Sequence, residues 1–161
     1  MDSHTAYGNV TPEDWGYMKI AREEAATGLS VGGCPIGSAL VKGKEVLGKG
    51  HNQRVQKGDP IAHGEMDCLR NAGRQKSYKG TTLYTTLSPC MMCTGTIIQF
   101  GIKRLVIGEN RTFGGNEEFL KSKGVEVILL DDPECKKLMD TFISKYPEIW
   151  NEDIGEDPED K

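Results

Sequence analysis

The stretch TTLYTTLSPCMMCTGTIIQF, residues 81–100, carries the pattern from which the fold of this chain can be predicted. Residues 82–87 are rich in threonine, leucine and tyrosine, which is the composition of a β-strand. Residues 90–100 form a longer apolar segment that we predict to be a helix, and Gly101 ends it. A strand that is followed directly by a helix is typical of α/β proteins.

Two short apolar runs further along the chain predict further strands of the same sheet. Residues 105–107 and 127–129 are apolar at every position. Such runs are typical of strands that are covered on both faces, as parallel strands are. We predict a short helix between them, at about residues 116–123, and an amphipathic helix over residues 133–146.

The N-terminal half predicts a helix, a hairpin and a second helix. Thr11-Pro12-Glu13-Asp14 has the capping hydroxyl, the proline and the acidic residues that are typical of a helix start. Residues 36–41 and 46–50 are predicted strands, and Lys42-Gly43-Lys44 is the turn between them. Residues 63–72 are a predicted helix. The whole order predicts one sheet of about five strands with helices on both faces.

The chain length predicts a single domain. A chain of 161 residues can bury one sizeable core but not two. We predict that this domain spans residues 11–156, that residues 1–10 are a flexible N-terminal arm, and that residues 157–161 are an acidic disordered tail.

Composition and charge exclude several classes of partner. The formal net charge is −4, and the lysines and arginines are scattered, so we expect no nucleic-acid partner. No apolar stretch has the length of a membrane span, and the N-terminus lacks the pattern of a secretory signal. The five cysteines are an odd number, which argues against a disulfide framework. We therefore expect a cytoplasmic protein without a membrane partner, and a nuclear pool is compatible with this expectation.

The segment Pro89-Cys90-Met91-Met92-Cys93 places two cysteines three residues apart at a predicted helix start. This spacing brings both sulfur atoms to one side of a turn, where the helix N-terminus stabilises the thiolate that binds a metal. A redox pair, half of a four-cysteine zinc ribbon and two buried thiols are alternative interpretations. The ribbon needs a second Cys-x-x-Cys, which the sequence lacks, and a redox pair does not account for His63-Gly64-Glu65.

His63 and Glu65 extend the cysteine pair to a predicted catalytic zinc site. His63 supplies a third ligand, and three protein ligands with an open fourth position are the pattern of catalytic zinc, in which the bound water has a pKa of about 7. Glu65 is then placed to carry a proton. Taken singly, His63 could be a hydrogen-bonded residue at a helix start and Glu65 a solvated helix acid. The combination favours one zinc ion per chain.

The same residues resemble a known signature. His63-Gly64-Glu65 followed by Pro89-Cys90-Met91-Met92-Cys93 resembles the zinc-dependent nucleobase and nucleoside deaminases. Over nearly its whole length the chain resembles the fungal cytosine deaminases, the free-base enzymes of pyrimidine salvage. The segments that carry this resemblance are VGGCPIGSALV (31–41), GKGHNQRVQKGDPIAHGE (48–65), TTLYTTLSPCMMCTGTII (81–98), IGENRTFGG (107–115) and WNEDIGE (150–156).

The resemblance implies a role for each matching position. The zinc ligands would be His63, Cys90 and Cys93, and Glu65 would be the proton shuttle. The remaining positions would bind the substrate: Asn52 at the N1/O2 edge of the base, the Gly64 N–H at its carbonyl oxygen, Asp153 near the exocyclic amine, Ile36, Leu87, Phe113 and Trp150 as apolar walls, and Ser88.

Several of these positions have ordinary alternatives. Ile36 and Leu87 could be plain core residues, and Asn52 could cap a turn. Phe113 and Trp150 could be packing anchors without substrate contact.

The C-terminal segment carries a separate hypothesis. Trp150 and Asp153 are three residues apart, so on a helical turn both would face the same way. We expect this segment to fold back over the site as a lid.

The resemblance also implies a fold, an assembly and a reaction. Family members are three-layer α/β/α sandwiches with a central mixed sheet, cytidine deaminase-like, and they form homodimers. The implied reaction is the zinc-dependent hydrolytic deamination of cytosine to uracil and ammonia. Acceptance of 5-substituted cytosines such as 5-fluorocytosine is part of the same expectation.

Other functions stay open at this point. A tRNA adenosine deaminase would be expected to have a basic C-terminus, whereas residues 152–157 are acidic. A cytidine deaminase or a guanine deaminase is not excluded by the residues themselves. A zinc-stabilised binding module without turnover is disfavoured by the presence of Glu65.

Overall fold

The computed structural model describes residues 8–157. Its helices are α1 (Pro12–Ser30), α2 (Arg54–Lys57), α3 (Gly64–Ala72), α4 (Met91–Phe100), α5 (Glu117–Ser122), α6 (Pro133–Lys145) and α7 (Pro147–Asp153). Its strands are β1 (Gly37–Lys42), β2 (Glu45–His51), β3 (Thr81–Leu87), β4 (Arg104–Glu109) and β5 (Glu126–Leu129). The predicted elements are present with nearly the predicted boundaries, whereas the short helices α2 and α7 were not predicted.

The strands of this part of the chain form one mixed sheet in the order β2-β1-β3-β4-β5. The tight turn after Lys42 makes β1 and β2 an antiparallel hairpin, and β1 also pairs antiparallel with β3. The pairs β3–β4 and β4–β5 are parallel, because helices α4 and α5 return the chain to the same edge before each next strand begins. The predicted α/β fold with a central mixed sheet is therefore confirmed.

Helices cover both faces of the sheet, which makes the three layers. One apolar cluster joins alternate strand residues to α3, α4 and α5, and it includes Leu40, Cys68, Leu83, Ile97, Leu105 and Leu120. A second cluster joins the intervening strand residues to α1 and α6, and it includes Met18, Ala21, Ala39, Tyr84, Val106, Ile128 and Cys135. Because successive side chains point to opposite faces, strands buried on both sides are apolar throughout, as the sequence predicts.

Helix α1 lies directly on the first residue of β1. A Cβ atom on Gly37 would lie 2.6 Å from the backbone nitrogen of Ala25 and would also overlap the carbonyl oxygen of Ala21. Only glycine leaves room for this contact between two backbones. This close packing fixes the position of the first residue of β1, and therefore also that of Ile36, which comes directly before it.

A buried ion pair fastens the start of α1 to the centre of the sheet. The Asp14 carboxylate accepts hydrogen bonds from Arg104 Nη1 and Nη2, both at 2.8 Å, and from the Tyr84 hydroxyl at 2.8 Å. It also accepts from the backbone N–H of Thr11 at 2.8 Å, which caps the helix. Burial by itself would raise the pKa of Asp14, but these hydrogen bonds and the charge of Arg104 outweigh it and lower that pKa to about 2.

Parts of the predicted arm and tail lie outside the described residues, namely 1–7 and 158–161. Where the arm is described, the Asn9 carbonyl accepts a hydrogen bond from Arg104 Nη2 at 3.2 Å. Within residues 8–157, no helix combines the length and the apolar composition that a membrane crossing requires.

The Asp14 ion pair predicts a pH-dependent stability. We expect Asp14→Asn to lower the free energy of unfolding at pH 7 by about 2 kcal/mol, because the amide loses the charge-assisted bonds to Arg104. Folding lowers the pKa of Asp14 from 3.8 to about 2, so the ionised carboxylate stabilises the native state fully above the unfolded value. The stabilisation is lost as the pH falls through the folded value.

Urea unfolding of both proteins at several pH values measures this difference. It should be constant down to about pH 4 and shrink towards about pH 2. Glu13→Gln, which changes an exposed carboxylate on the same helix turn, is the control and should show no such loss. A difference between Asp14→Asn and the parent protein that does not change below pH 4 would contradict the role of the Asp14 charge.

Candidate active site

His63, Cys90 and Cys93 come together as a group of three ligand residues. Their nitrogen and sulfur ligand atoms all lie within 4.8 Å of one another. His63 Nδ1 lies 3.5 Å from the Cys90 sulfur. One imidazole and two thiols at this separation are a donor set that suits a tetrahedral zinc ion with one open position.

The two helices α3 and α4 both begin at a ligand. His63 is the residue before α3, and Cys90 is the residue before α4, and both have extended backbone conformations with ψ values of 162° and 173°. Their carbonyl groups accept the first helical hydrogen bonds, from Asp67 and Thr94. The N-termini of both helices therefore meet at the site, where their partial positive charge favours thiolates.

The two cysteines have opposite proton affinities. The hydrogen bond from the Cys93 thiol lowers the pKa of Cys90 to about 4, burial opposes this shift, and the hydrogen bond to His63 adds to it. The same bond to Cys90, together with burial, raises the pKa of Cys93. One sulfur thus carries negative charge and the other holds a proton that a metal ion can replace, which is the chemistry of a zinc–thiolate site.

Glu65 lies in the first turn of α3 beside the ligands. Its carboxylate is only 4% exposed. Burial, followed by the nearby charge of Cys90, raises the pKa of Glu65 to about 7. A carboxyl group with such a pKa can both accept and donate a proton at neutral pH, as a general acid–base requires.

A small, partly open cavity of about 20 Å³ lies against His63 and Cys90. Its lining consists of Ile36, His63, Glu65, Leu87, Ser88, Cys90, Phe113, Trp150, Asp153 and Ile154. Nearly all of these residues are predicted site residues. Ile154 was missed, although it follows Trp150 at the i+4 spacing of a helix face, which could have indicated it. A wider cleft of about 550 Å³, bordered by Arg54, Met92 and Gly114, also reaches His63 and Cys90.

Helix α7 forms one side of this small cavity. It presents Trp150 and Asp153 on the same face, as their spacing predicts, and both line the cavity. The Trp150 ring meets the Phe113 ring edge-on, with 6.5 Å between the ring centroids and an interplanar angle of 85°. This geometry is a favourable aromatic pair that joins α7 to the loop before α5.

Asn52 lies behind the cavity and not in its lining. Its Nδ2 donates to Asp153 Oδ2 at 2.7 Å, and its Oδ1 accepts from the backbone N–H of Arg54 at 3.0 Å. Asp153 also lies 3.8 Å from His63 Nε2 and 3.8 Å from Arg54 Nη1. Burial raises the pKa of Asp153, and His63, Asn52 and Arg54 oppose this shift. In the structure Asn52 therefore contacts the C-terminal helix directly.

Gly64 brings a backbone segment close to the cavity wall. A Cβ atom at this position would lie 2.7 Å from the carbonyl oxygen of Ile36, which itself accepts a hydrogen bond from the Asn52 N–H at 2.9 Å. No larger residue fits without displacing His63 or Ile36.

Residues 12–109 match the family profile of the cytidine and deoxycytidylate deaminase zinc-binding region. This range includes the three ligands and Glu65, and it covers more than half of the chain. The chain belongs to the cytidine and deoxycytidylate deaminase family.

Individual relatives of this deaminase agree with the family match. The chain is 52% identical over 150 residues to the cytosine deaminase of Candida albicans, an alignment that covers 91% of this chain and 100% of that one. It is 44% identical over 108 residues to the tRNA-specific adenosine deaminase of Buchnera aphidicola subsp. Schizaphis graminum, over 65% of this chain and 72% of that one. The predicted resemblance to fungal cytosine deaminases is confirmed.

Solved structures share the fold of this deaminase. One from a study of tRNA:A34 deaminases superposes with a TM-score of 0.69 at 28% identity, covering 77% of this chain and 99% of that one. The guanine deaminase of Bacillus subtilis superposes with a TM-score of 0.56 at 25% identity, covering 73% of each chain. The predicted cytidine deaminase-like sandwich is confirmed.

The ligand cluster predicts that replacing one ligand reduces both the zinc content and the stability of the protein. We expect Cys90→Ser to abolish stoichiometric zinc binding and to lower the thermal unfolding temperature, because metal binding energy at such a site is partly folding energy. Metal analysis of the purified proteins and thermal unfolding measure both effects. Cys135→Ser is the control, since this buried thiol lies in the α1/α6 cluster on the other face of the sheet and should leave zinc content unchanged. A Cys90→Ser protein with the parent zinc content would contradict the assignment.

Proposed function

We propose that this protein is a zinc-dependent hydrolase that deaminates the free base cytosine to uracil and ammonia. One observation carries the proposal: His63, Cys90 and Glu65 border the same cavity, with Cys93 within 4.8 Å of the other two ligands, and most of the remaining lining is apolar or aromatic. The 52% sequence identity to a cytosine deaminase, over 91% of this chain, supports cytosine as the substrate.

The residues present fit the metal. His63, Cys90 and Cys93 would hold the zinc ion, which when bound would supply Lewis-acid activation of water near neutral pH. The helix N-termini that meet at this point favour the thiolate forms of both cysteines.

Glu65 moves the protons of the reaction. Its carboxylate accepts a proton from the attacking water and delivers it to N3 of the base, which makes C4 electrophilic. It then takes the remaining proton from that water oxygen, which is now bonded to C4, and delivers it to the amino group. The C4–N bond breaks, ammonia leaves, and C4 becomes a carbonyl carbon of uracil. A pKa near 7 suits both transfers, because the carboxyl group is neither strongly acidic nor permanently protonated in its buried position.

The cavity walls orient the base. The cavity holds only about 20 Å³, so the Phe113 and Trp150 rings would have to move to admit the base. They would then form its aromatic wall, with Ile36 and Leu87 completing the apolar wall and Ser88 at its margin. Planar apolar walls exclude water from the reacting atoms and hold C4 in place.

Polar groups would select the amine and carbonyl edges of the base. Asp153 would accept a hydrogen bond from the exocyclic amine, and Asn52 holds the Asp153 carboxylate in position through its 2.7 Å bond. We also propose that the Asn52 amide forms hydrogen bonds with the N1/O2 edge of the base and that the Gly64 N–H binds its carbonyl oxygen. The Asn52 role would need its side chain to exchange a protein partner, Asp153 or the Arg54 N–H, for the base.

Finer proposals rest on the resemblance. We propose that the enzyme is a homodimer, that it acts in the cytoplasm without a nucleic-acid or membrane partner, and that it accepts 5-fluorocytosine. The single-domain span of residues 11–156 stays a prediction.

Substrate choice is the direct test of the proposed function. Ammonia release from cytosine, cytidine, guanine and adenosine in a tRNA anticodon stem-loop should be measured side by side with the zinc-loaded protein. We expect cytosine to be deaminated and cytidine to be poorer by roughly 10⁴-fold, because a sugar on N1 removes a hydrogen-bond donor and enlarges the ligand. Turnover of cytidine or of the RNA at the rate of cytosine would reject the free-base proposal.

The role of Glu65 has a separate test. We expect Glu65→Gln to keep zinc and to lose turnover by about 10³-fold, because an amide cannot carry the proton. Metal content and steady-state kinetics on cytosine measure the two quantities. Glu45→Gln, an exposed carboxylate at the start of β2, serves as the control and should retain both. Near-normal turnover of Glu65→Gln with zinc bound would refute the proton-transfer role.

A further inference from the structure

The loop between β4 and α5 carries Phe113 into the cavity wall. It contains the consecutive glycines Gly114 and Gly115, and Gly115 has a φ angle of 113°, a conformation that favours glycine. A loop with this composition has many accessible conformations, so contacts from outside it must select the one that places Phe113 against Trp150.

One buried carboxylate makes such contacts on both sides of Phe113. Glu117, the first residue of α5, is 8% exposed. Its Oε1 accepts a hydrogen bond from Asn110 Nδ2 at 2.8 Å, and its Oε2 accepts from the Gly115 N–H at 3.0 Å. The two partners are the residues three positions before Phe113 and two positions after it. Glu117 therefore closes the loop at its base.

The same region is joined to the ligand-bearing turn. Asn116, next to Glu117, donates from Nδ2 to the Pro89 carbonyl oxygen at 2.9 Å, immediately before Cys90. Ser88 and Glu109 are also paired through their backbones, with Ser88 N–H donating to the Glu109 carbonyl oxygen at 3.0 Å. The Phe113 loop and the Cys90 turn are thus parts of one hydrogen-bonded unit.

Glu117 is held in the ionised form that these two hydrogen bonds require. Burial would raise its pKa, but the hydrogen bonds from Asn110 and Gly115 outweigh burial and lower the pKa of Glu117. An ionised carboxylate offers an acceptor oxygen to each of the two donors.

We propose that Glu117 is a positioning residue, which fixes residues 110–116 so that Phe113 completes the substrate cavity against Trp150. The proposal rests on the proposed function, since it assigns Phe113 a substrate contact. It differs from a general stabilising role, because Glu117 then acts on substrate binding through Phe113 and not through the fold as a whole.

Glu117→Gln is the informative variant, because it keeps the size of the side chain. A glutamine has one acceptor oxygen and one NH₂ group, so one of the two donors, Asn110 or Gly115, must face another donor. We expect KM for cytosine to rise by about tenfold with a small change in kcat. The reason is that a charge-assisted hydrogen bond is lost, and this bond orders the contact between Phe113 and the bound substrate. Zinc content should be unchanged.

Glu118→Gln is the matched control on the same helix. The Glu118 side chain is 90% exposed and pairs only with Lys121 among its described contacts, at 3.3 Å. Kinetics, zinc content and thermal unfolding should match the parent protein. If Glu117→Gln lowers the unfolding temperature but leaves KM unchanged, the positioning role is overturned, and Glu117 only stabilises the fold.

A double-mutant cycle with Phe113→Ala tests whether Glu117 acts through Phe113. In the Phe113→Ala background the added effect of Glu117→Gln on KM should nearly vanish, because the ring that the loop positions is gone. Additive effects of the two substitutions would overturn the proposal.

Hydrogen exchange supplies a readout that needs no activity. In Glu117→Gln, the Gly115 amide and its neighbours in residues 113–116 should exchange at least several-fold faster. The amides of Arg111 and Thr112, which donate to Glu109, and those of β3 and β4 should stay protected. Unchanged exchange in this loop would overturn the proposal. If the parent protein does not deaminate cytosine but its loop responds as expected, the proposed function fails while the loop-fixing role of Glu117 stands.

Discussion

The structure depends on bringing two helix N-termini to one point beside the end of the central strand. Helices α3 and α4 each begin at a ligand, His63 and Cys90, and Cys93 follows one turn into α4. The two sulfur atoms and the imidazole lie within 4.8 Å of one another. As thiolates, the two sulfurs would carry negative charge that a buried site tolerates poorly, and the helix N-termini and a bound metal would offset that charge. The order of the sheet serves this requirement. Strands β2 and β3 run in the same direction on either side of β1, so α3 and α4, which follow them in the chain, begin at the same edge.

The C-terminal helix adds one wall to the cavity beside the ligands. Asp153 reaches across 101 positions of sequence to the amide of Asn52, and Trp150 packs edge-on against Phe113. One contact is polar and the other aromatic, and both arise from the same face of α7, so that face is held towards the cavity. The partly buried guanidinium of Arg54 lies within 4.0 Å of Glu152 and Asp153 and offsets the charge that this acidic segment brings to the site.

Buried carboxylates recur in this protein with different tasks because their surroundings differ. Asp14 faces an arginine and two further donors, so it stays ionised and fastens α1 to the sheet. Glu117 faces two neutral donors and orders a loop. Glu65 is buried next to the negative sulfur of Cys90, so its pKa rises to about 7 and it becomes suited to proton transfer. One chemical group thus serves stability, positioning and chemistry according to its partners.

The sequence by itself determined the elements whose signals are local. The strand and helix of residues 81–100, the hairpin turn at residues 42–44 and the ligand spacing of Cys90 and Cys93 depend on neighbours a few positions apart, and all were predictable. The three candidate ligands were predictable as well, because the two motifs that carry them each lie at a helix start and resemble a known signature.

Only the tertiary structure decided the contacts between distant segments. The bond from Asn52 to Asp153 and the place of Ile154 in the cavity depend on α7, whose acidic and short sequence has little helix signal of its own. Helix α7 forms because Trp150 packs into the apolar cluster with Phe142 and Met139, which a local pattern does not contain. The task of Glu117 is likewise invisible in sequence, because a surface-like run of acidic residues at a helix start gives no sign of which carboxylate turns inward to hold a loop.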